Sequence, residues 1–534
     1  MASFLERHSL AVAIAAVAVA ALRIGAAYPE TGLTWDEPAH VACGLEYLAQ
    51  HVYRYETQHP PLARAMAAAG PYLEGVRPQG VADMYQEGVA MVYSKAHPGR
   101  TLTLMRLGIL PFFFLACLVI HVWARHLFGN AVASLATALF TLLPPVLAHA
   151  GLATTDMALA ACLSAAFLSL LLWAERPTWT RSLLLGAVTA LALLSKFTTL
   201  GFLPAAAVLA LMAHAAVERP TRQRLLTLAK ERAPRFALAI AAGGLVIWAA
   251  YWFSFGKVPG WSISLPAPEL FDGVRSAFQH NAGGHLEYFL GEVRRTGWWY
   301  YFPVVLAVKT PIAFLLLTGV GAWVCFAKRK QTVYWLPPAF SLGILLPSMT
   351  SHVNIGVRHI LPVFAGFSIV AALGVSRLMA GRWTAIAAGV LVLWMAVSGA
   401  LAHPDYLAYF NELAGDRPER ILADSDLDWG QDTVRLARRL RQLGANGVSY
   451  TTLNLLDDRL RAWPGFPPVK PINPLKPAEG WTAVGPTLWL VRQYGLDHRY
   501  ANLEPWFAYL KPVEKVGATY LYYVRPGSIP PELR

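Results

Sequence analysis

Three carboxylates sit where an acidic side chain is costly. Asp36 and Glu37 lie in Thr34-Trp35-Asp36-Glu37-Pro38-Ala39-His40, directly after the first long apolar stretch, and Asp156 follows Thr154-Thr155 at the start of another. Acids at the edge of a bilayer are rare and mark function. A carboxylate so placed can act as a general base toward a hydroxyl group. As chain neighbours, Asp36 and Glu37 point in different directions and do not make one bidentate site. His40, four residues on, shares the face of Asp36 if a helix begins here. The competing role for Asp36 is a helix N-cap with Pro38 in the first turn, and these residues alone leave it open.

Cations are expected at the same face. Arg106 opens the second apolar stretch, Lys309 precedes Pro311 in another, and Arg358 and His359 follow Asn354 at the head of a third. Such a group of cations beside carboxylates suits a lipid substrate that carries phosphate. Lys196, between two stretches, is better explained by its ammonium snorkelling to the interface.

These side chains need a membrane scaffold to position them. Of 534 residues, 56% are hydrophobic and 14% charged, against about 25% charged in soluble domains. Apolar runs long enough to span a bilayer are expected near 9–27, 102–124, 130–148, 155–174, 181–197, 199–217, 235–254, 303–326, 333–349, 359–376 and 383–402, eleven in all. The net charge of +13 is distributed over alternate connections, which the positive-inside rule makes cytoplasmic, so it reports topology rather than nucleic acid. The intervening loops, and everything after the last span, are then extracytoplasmic. Arg23 interrupts the first apolar run, which therefore reads as an anchor rather than a cleaved signal. The basic stretch 219–235 reads as a helix on the anionic cytoplasmic lipid surface. Cys117, Cys162 and Cys325, three of four cysteines, fall in expected spans, so no disulfide framework is expected.

The chain divides into a membrane domain, 1–402, and an extracytoplasmic α/β domain, 403–534. Two outer loops, 28–100 and 255–300, exceed what a connector needs. Pieces at 39–50 and 61–73 suit helices in the interface plane. In the second domain the pattern predicts strands at 420–424, 447–453 and 519–524, a helix at 432–443, and a Pro-rich loop at 464–477. The acidic run Asp424-Ser425-Asp426-Leu427-Asp428 fails as a calcium loop, since Trp429 stands where Gly is needed and Arg435 where Glu is. Asp432 reads as a helix cap, with Asp426 and Asp428 either in a polar turn or recognising an acceptor. Trp298-Trp299-Tyr300-Tyr301-Phe302 reads as an interfacial aromatic belt.

Thr34-Trp35-Asp36-Glu37, His59-Pro60-Pro61-Leu62 and Thr154-Thr155-Asp156, in this order and placement, resemble bacterial protein-mannosyltransferase-like glycosyltransferases: the family 39 group, with its lipid A aminoarabinose-transferase relatives. The stretches 285–311, 354–362 and 424–432 extend the resemblance from Trp35 to about Leu440. It implies the type C membrane fold in a bacterial inner membrane, with the active site facing outward. A monosaccharide would pass from a polyprenyl-phosphate donor to an acceptor hydroxyl on protein, lipid or glycan, with inversion. Asp36 is then the general base, with Glu37 and Asp156 positioning the acceptor or a metal. Arg106, Lys309, Arg358, His359, His59, His285 and Asn354 would serve the donor, and His40, Asp426 and Asp428 the acceptor side. The aminoarabinose transferases carry Glu-Lys before Pro-Pro, where this chain has Gln58-His59. That departure puts a divalent metal in doubt, with His59 and His285 as its remaining ligands. The rival reading is a non-catalytic transporter or flippase of a lipid-linked sugar, which would line a path to both faces with charge. A ligase using lipid diphosphate oligosaccharides fits the early Asp-Glu loop poorly.

Overall fold

A computed structural model describes residues 2–451, 465–472, 477–491, 506–525, 527 and 529. Each of the eleven apolar stretches is helical. Among the described residues, six helices are long and apolar enough to cross a membrane: Glu6–Glu30, Pro98–Phe128, Asp156–Glu175, Thr199–Glu218, Arg222–Ala250 and Arg382–Leu401. Two bent pairs bring the number to eight if each is one span, Asn130–Thr141 with Pro144–Ala150 and Tyr301–Lys309 with Ile312–Ala327. Trp179–Ser195, Leu336–Ser348 and Val363–Leu378 are helical over fewer residues. The chain is a multi-pass membrane protein.

The bends follow from proline. Pro311 has no N–H to give the preceding turn and drives Thr310 to an extended backbone (φ −107°, ψ 134°). The two halves therefore meet at 115° rather than as the single straight span expected over 303–326. Breaking a helix orphans carbonyls, and Asn411 collects them. Its amide Nδ2 donates to the oxygens of Ala307 and Thr310, each at 2.6 Å, and its backbone N–H to that of Val308 at 2.8 Å.

The first outer loop carries helices Glu37–Gln50, Pro61–Leu73 and Met84–Val92. Residues Glu37 to Glu46 are all buried, so the first of these is a packed element and not a helix lying free in an interface. Glycine permits the close approach. A Cβ on Gly44 would stand 2.1 Å from the Arg64 carbonyl oxygen, and one on Gly88 1.9 Å from that of Pro38.

The second loop holds two antiparallel hairpins around helix Pro268–Gly283: β1 (Phe255–Lys257) with β2 (Ser264–Pro266), and β3 (Glu287–Phe289) with β4 (Glu292–Arg294). Of the expected aromatic belt, Trp298, Tyr301 and Phe302 are instead buried, packed around Phe289 or against one another, and only Trp299 and Tyr300 are exposed.

Past residue 403 the expected strand at 420–424 is replaced by 3-10 turns, Pro418–Arg420 and Asp424–Asp426, with a single bridge from Leu422 to Phe289. Pro418 and the left-handed Asp424 (φ +54°) both oppose a regular strand. The predicted helix is present as Thr433–Gln442. Behind it lies a five-stranded sheet: β5 (Val448–Thr451), β6 (Val469–Lys470), β7 (Gly480–Val484), β8 (Glu514–Val516) and β9 (Thr519–Val524), in the order β6-β5-β7-β9-β8. β5 runs parallel to β6 and β7, and β9 antiparallel to β7 and β8. The last predicted strand matches β9 residue for residue. β6 falls inside the expected Pro-rich loop, and the expected extension of β5 to 453 lies outside the described residues.

Backbone bonds are among the contacts that join the two halves of the chain at the site. Gly32 N–H donates to Gln431 O at 2.8 Å, and Trp35 N–H to Trp429 O at 3.0 Å. The segment before Asp36 thus lies backbone to backbone against the acidic loop.

Candidate active site

The stretch after the first span turns sharply into helix Glu37–Gln50, and the turn sends its two acids apart. Glu37 goes inward. Its carboxylate accepts from Arg106 Nε and Nη2 (both 2.8 Å), Thr34 N–H (3.0 Å) and Ala153 N–H (2.9 Å), with no exposure on either partner. Arg106 spends its remaining donors on Thr31 and the Gly32 carbonyl. Four charge-assisted bonds satisfy the carboxylate. Neither residue lines the cavity that holds Asp36, against the expectation that Glu37 is catalytic and Arg106 binds a donor.

Asp36 goes outward, into a cavity of about 420 Å³. Its side chain makes no cap to the helix, which removes the capping alternative. Instead Oδ2 accepts from Arg358 Nη1 at 2.7 Å. The guanidinium of Arg358 also lies 4.3 Å from the centre of the Trp429 ring. Burial pushes the Asp36 carboxyl up, but Arg358, His40 and His59 outweigh it and hold the carboxyl below its ordinary value.

Arg358 is presented by the turn Val357–Ile360, whose position is set from behind. Tyr301 OH accepts from Gly356 N–H at 2.9 Å, Asp426 Oδ1 accepts from Val357 N–H at 3.0 Å, and Ser425 Oγ donates to the Ile355 carbonyl at 2.8 Å. Asp426 is fully buried and acts through this turn, not on a ligand. Asn354 likewise braces, accepting from Trp298 N–H at 2.7 Å and donating to Ser351 O at 3.2 Å. Asp428 accepts from Gly430 N–H at 3.3 Å inside its own buried turn. Lys309 donates to the carbonyls of Leu407 (2.8 Å) and Asp426 (2.5 Å) and is 1% exposed. It staples the acidic loop to the bent helix. All four were expected to meet donor or acceptor, and none lines the cavity.

The cavity gathers other expected residues: His40, His59, His285, Arg358 and His359 lie in its wall with Asp36. His40 Nδ1 accepts from Arg64 Nε at 3.1 Å. That direction needs a neutral imidazole, and burial, reinforced by Arg64 and His59, pushes His40 well below its ordinary pKa. Arg64 also pairs with Glu56, whose other close partner is His59, Nδ1 to Oε2 3.0 Å. Burial raises the Glu56 carboxyl, but Arg64 and His59 hold it well below the carboxylate range. Asp156 is fully buried behind the wall and reaches the cavity through Lys196, whose Nζ donates to Oδ1 at 2.7 Å. Lys196 therefore does not snorkel; it is a buried ion-pair partner with a face on the cavity.

The sequence reading passed over Glu56 and Arg64, and took Asp424 and Trp429 only as parts of the acidic loop; all four lie in the wall. Glu56 stands two residues before Gln58, so a carboxylate does precede Pro60-Pro61, displaced along the chain. His59 Nδ1 is held by Glu56 and Arg64, which orients the ring and leaves Nε2 free, but His59 does not join His285 in a ligand cluster. The His/Cys/Asp/Glu group that draws together among the described residues is His285, Glu287 and Asp424, whose ligand atoms lie within 4.8 Å of one another.

Residues 99–257 match the family described as dolichyl-phosphate-mannose-protein mannosyltransferase. Two solved structures share the fold over most of the chain. Apo ArnT from Cupriavidus metallidurans is 18% identical, with 81% of this chain and 72% of that one covered at a TM-score of 0.51. The same protein bound to undecaprenyl phosphate is 15% identical, with 95% and 97% covered at 0.52. No curated protein matches the sequence. The expected type C membrane glycosyltransferase fold is present.

Proposed function

We propose that this multi-pass membrane protein of the type C glycosyltransferase fold transfers a monosaccharide from a polyprenyl-phosphate donor to an acceptor hydroxyl, with inversion and with Asp36 as general base. The observation that carries the reading is Asp36, held against Arg358 at 2.7 Å in the wall of a large cavity and with no cap to bind it elsewhere. The binding of undecaprenyl phosphate by a protein of the same fold supports the donor class.

The chemistry follows from charge. Breaking a sugar–phosphate bond leaves positive charge on the sugar and negative charge on the departing phosphate. Arg64 in the wall spends its donors on His40, Tyr53 and Glu56, which leaves Arg358 and Lys196 as the wall cations to meet that phosphate, and preorganised charge stabilises what develops in the transition state. Each is paired with an acid before substrate arrives, Arg358 with Asp36 and Lys196 with Asp156. A donor phosphate that engages Arg358 loosens its hold on Asp36. The carboxylate, freed of the charge that keeps it weakly basic, then takes the proton of the acceptor hydroxyl as oxygen attacks the sugar. The site lies on the extracytoplasmic face of a bacterial inner membrane in this reading.

The test offers purified protein a panel of polyprenyl-phosphate sugars with candidate protein, lipid and glycan acceptors, and measures free polyprenyl phosphate. Release that depends on an acceptor and falls away in Asp36→Asn supports the reading. Movement of intact donor across a vesicle bilayer without release would support a flippase instead.

A further inference from the structure

We propose that His285, Glu287 and Asp424 form a divalent-metal site in the wall of the cavity. This does not depend on the identity of the donor or on the base assignment.

The argument begins with Glu287. It is 1% exposed, and apart from the neighbouring Tyr288 N–H its carboxylate oxygens have no hydrogen-bond donor. No Lys or Arg pairs with it among the described residues, and the nearby Arg358 is engaged with Asp36. A buried carboxylate is normally paired, hydrogen-bonded or bound to metal, because loss of water must be compensated. Its neighbours compound the problem: Asp424 is a second acid, and His285 is an imidazole able to offer a lone pair. Two carboxylates and one neutral imidazole carry two negative charges, which a divalent cation balances.

The three ligands come from two distant parts of the chain, the approach to one hairpin and the acidic loop. Glu287 opens β3, in the hairpin with β4. His285 N–H donates to the His352 carbonyl at 3.3 Å, just ahead of that strand. Asp424 adopts φ +54°, uncommon for a residue other than glycine, and its N–H is anchored on Thr487 Oγ1 at 2.9 Å. An unfavourable backbone conformation held by its surroundings is often found where a side chain must be aimed. His285 and Asp424 both line the cavity while Glu287 lies behind them, so a bound ion has protein on one side and open coordination positions on the other. One nitrogen and two carboxylate groups suit Zn²⁺ or Mn²⁺. Open positions facing the cavity would accept an anionic oxygen. The set differs from the His59–His285 pair that the sequence alone offered, and it draws one ligand from the acidic loop more than a hundred residues further on.

The test uses the full chain in detergent, stripped with chelator and then titrated separately with ZnCl₂ and MnCl₂. Calorimetry should give one ion per chain for at least one metal. Elemental analysis should find that metal retained through gel filtration, and the unfolding temperature should rise on its addition. Affinity should fall at least tenfold in Glu287→Gln and in His285→Ala, and the metal-dependent rise in unfolding temperature should vanish in both. His285 is half-buried, so its variant remains informative if Glu287→Gln fails to fold. Asp36→Asn should bind metal as the unmodified chain does. Two results overturn the proposal: stripped protein that binds neither ion, or metal binding in His285→Ala equal to that of the unmodified chain. The first would make Glu287 a buried protonated acid.

Discussion

Glu37 and Asp36 are adjacent in the chain, both acids, and each is paired with an arginine, yet they do opposite work. The Glu37–Arg106 pair is sealed, with neither side chain exposed and every strong hydrogen-bonding direction used. The Asp36–Arg358 pair has one direct bond, and the Asp36 side chain retains 21% exposure in a cavity. A saturated ion pair stabilises an arrangement; an unsaturated one at a cavity can exchange partners. Burial and residual bonding capacity, not the presence of charge, separate the girder from the tool.

Substitutions can break that contrast. The largest effect is expected at the sealed pair. Glu37→Ala leaves the buried Arg106 guanidinium without a counter-charge, at a cost of about 3–5 kcal/mol, and should remove most folded protein by gel filtration and thermal unfolding. A stable, active Glu37→Ala protein would show that the two pairs do not differ in kind. Asp36→Asn should instead keep the unfolding temperature within a few degrees and lower turnover by roughly 10²- to 10⁴-fold, the usual worth of a general base. Turnover near that of the unmodified chain would end the base assignment.

Arg358→Ala comes next. Loss of a charge-assisted contact should raise the donor KM roughly 10- to 100-fold, with little change in acceptor KM. It also sharpens the contrast through pH. Asp36 is held below its ordinary carboxylate value by Arg358 and its histidine neighbours against the upward push of burial. The acid limb of kcat/KM, which reports the free enzyme, should therefore lie below the ordinary carboxylate value, and without Arg358 it should move to higher pH. An unmoved limb would mean another group titrates.

The smallest effect concerns the supporting loop. Burial, with nearby Asp432 adding to it, pushes the Asp428 carboxyl up to about 7, against about 3.9 in an unfolded chain. Between those values the folded protein binds a proton that the unfolded chain has lost. This contribution is complete below about pH 4 and is lost as pH rises through about 7. The unfolding temperature should fall from pH 5 to pH 8, and the fall should be shallower in Asp428→Asn.

The apolar stretches were legible because length and hydropathy suffice to mark a membrane helix. The placement of Asp36 and Arg358 was legible because both stand at the ends of such stretches. What could not be read was the difference between wall and interior. Arg106, Lys309 and Arg358 each open or close a helix and have identical charge, but only the tertiary fold decides whether backbone carbonyls have already claimed their donors. Lys196 was misjudged for the same reason in reverse, since its partner Asp156 is 40 positions away. Glu287 lay in plain view within the His285–Glu292 stretch, but an acid alternating with apolar residues reads as surface until its burial is known. The bend at Thr310 was signalled by Pro311 and was passed over in favour of a continuous span.

The two backbone bonds from Gly32 and Trp35 to Gln431 and Trp429 also impose an order on the birth of the molecule. Trp35 leaves the ribosome about four hundred residues before the partner that holds it. Until that late segment arrives, the turn carrying Asp36 has no floor beneath it, and Arg358 has no Trp429 to lie against. A chain that stops before that segment therefore possesses its membrane helices with the wall around Asp36 unfinished. Emergence of residues 429–431 is the event that completes that wall.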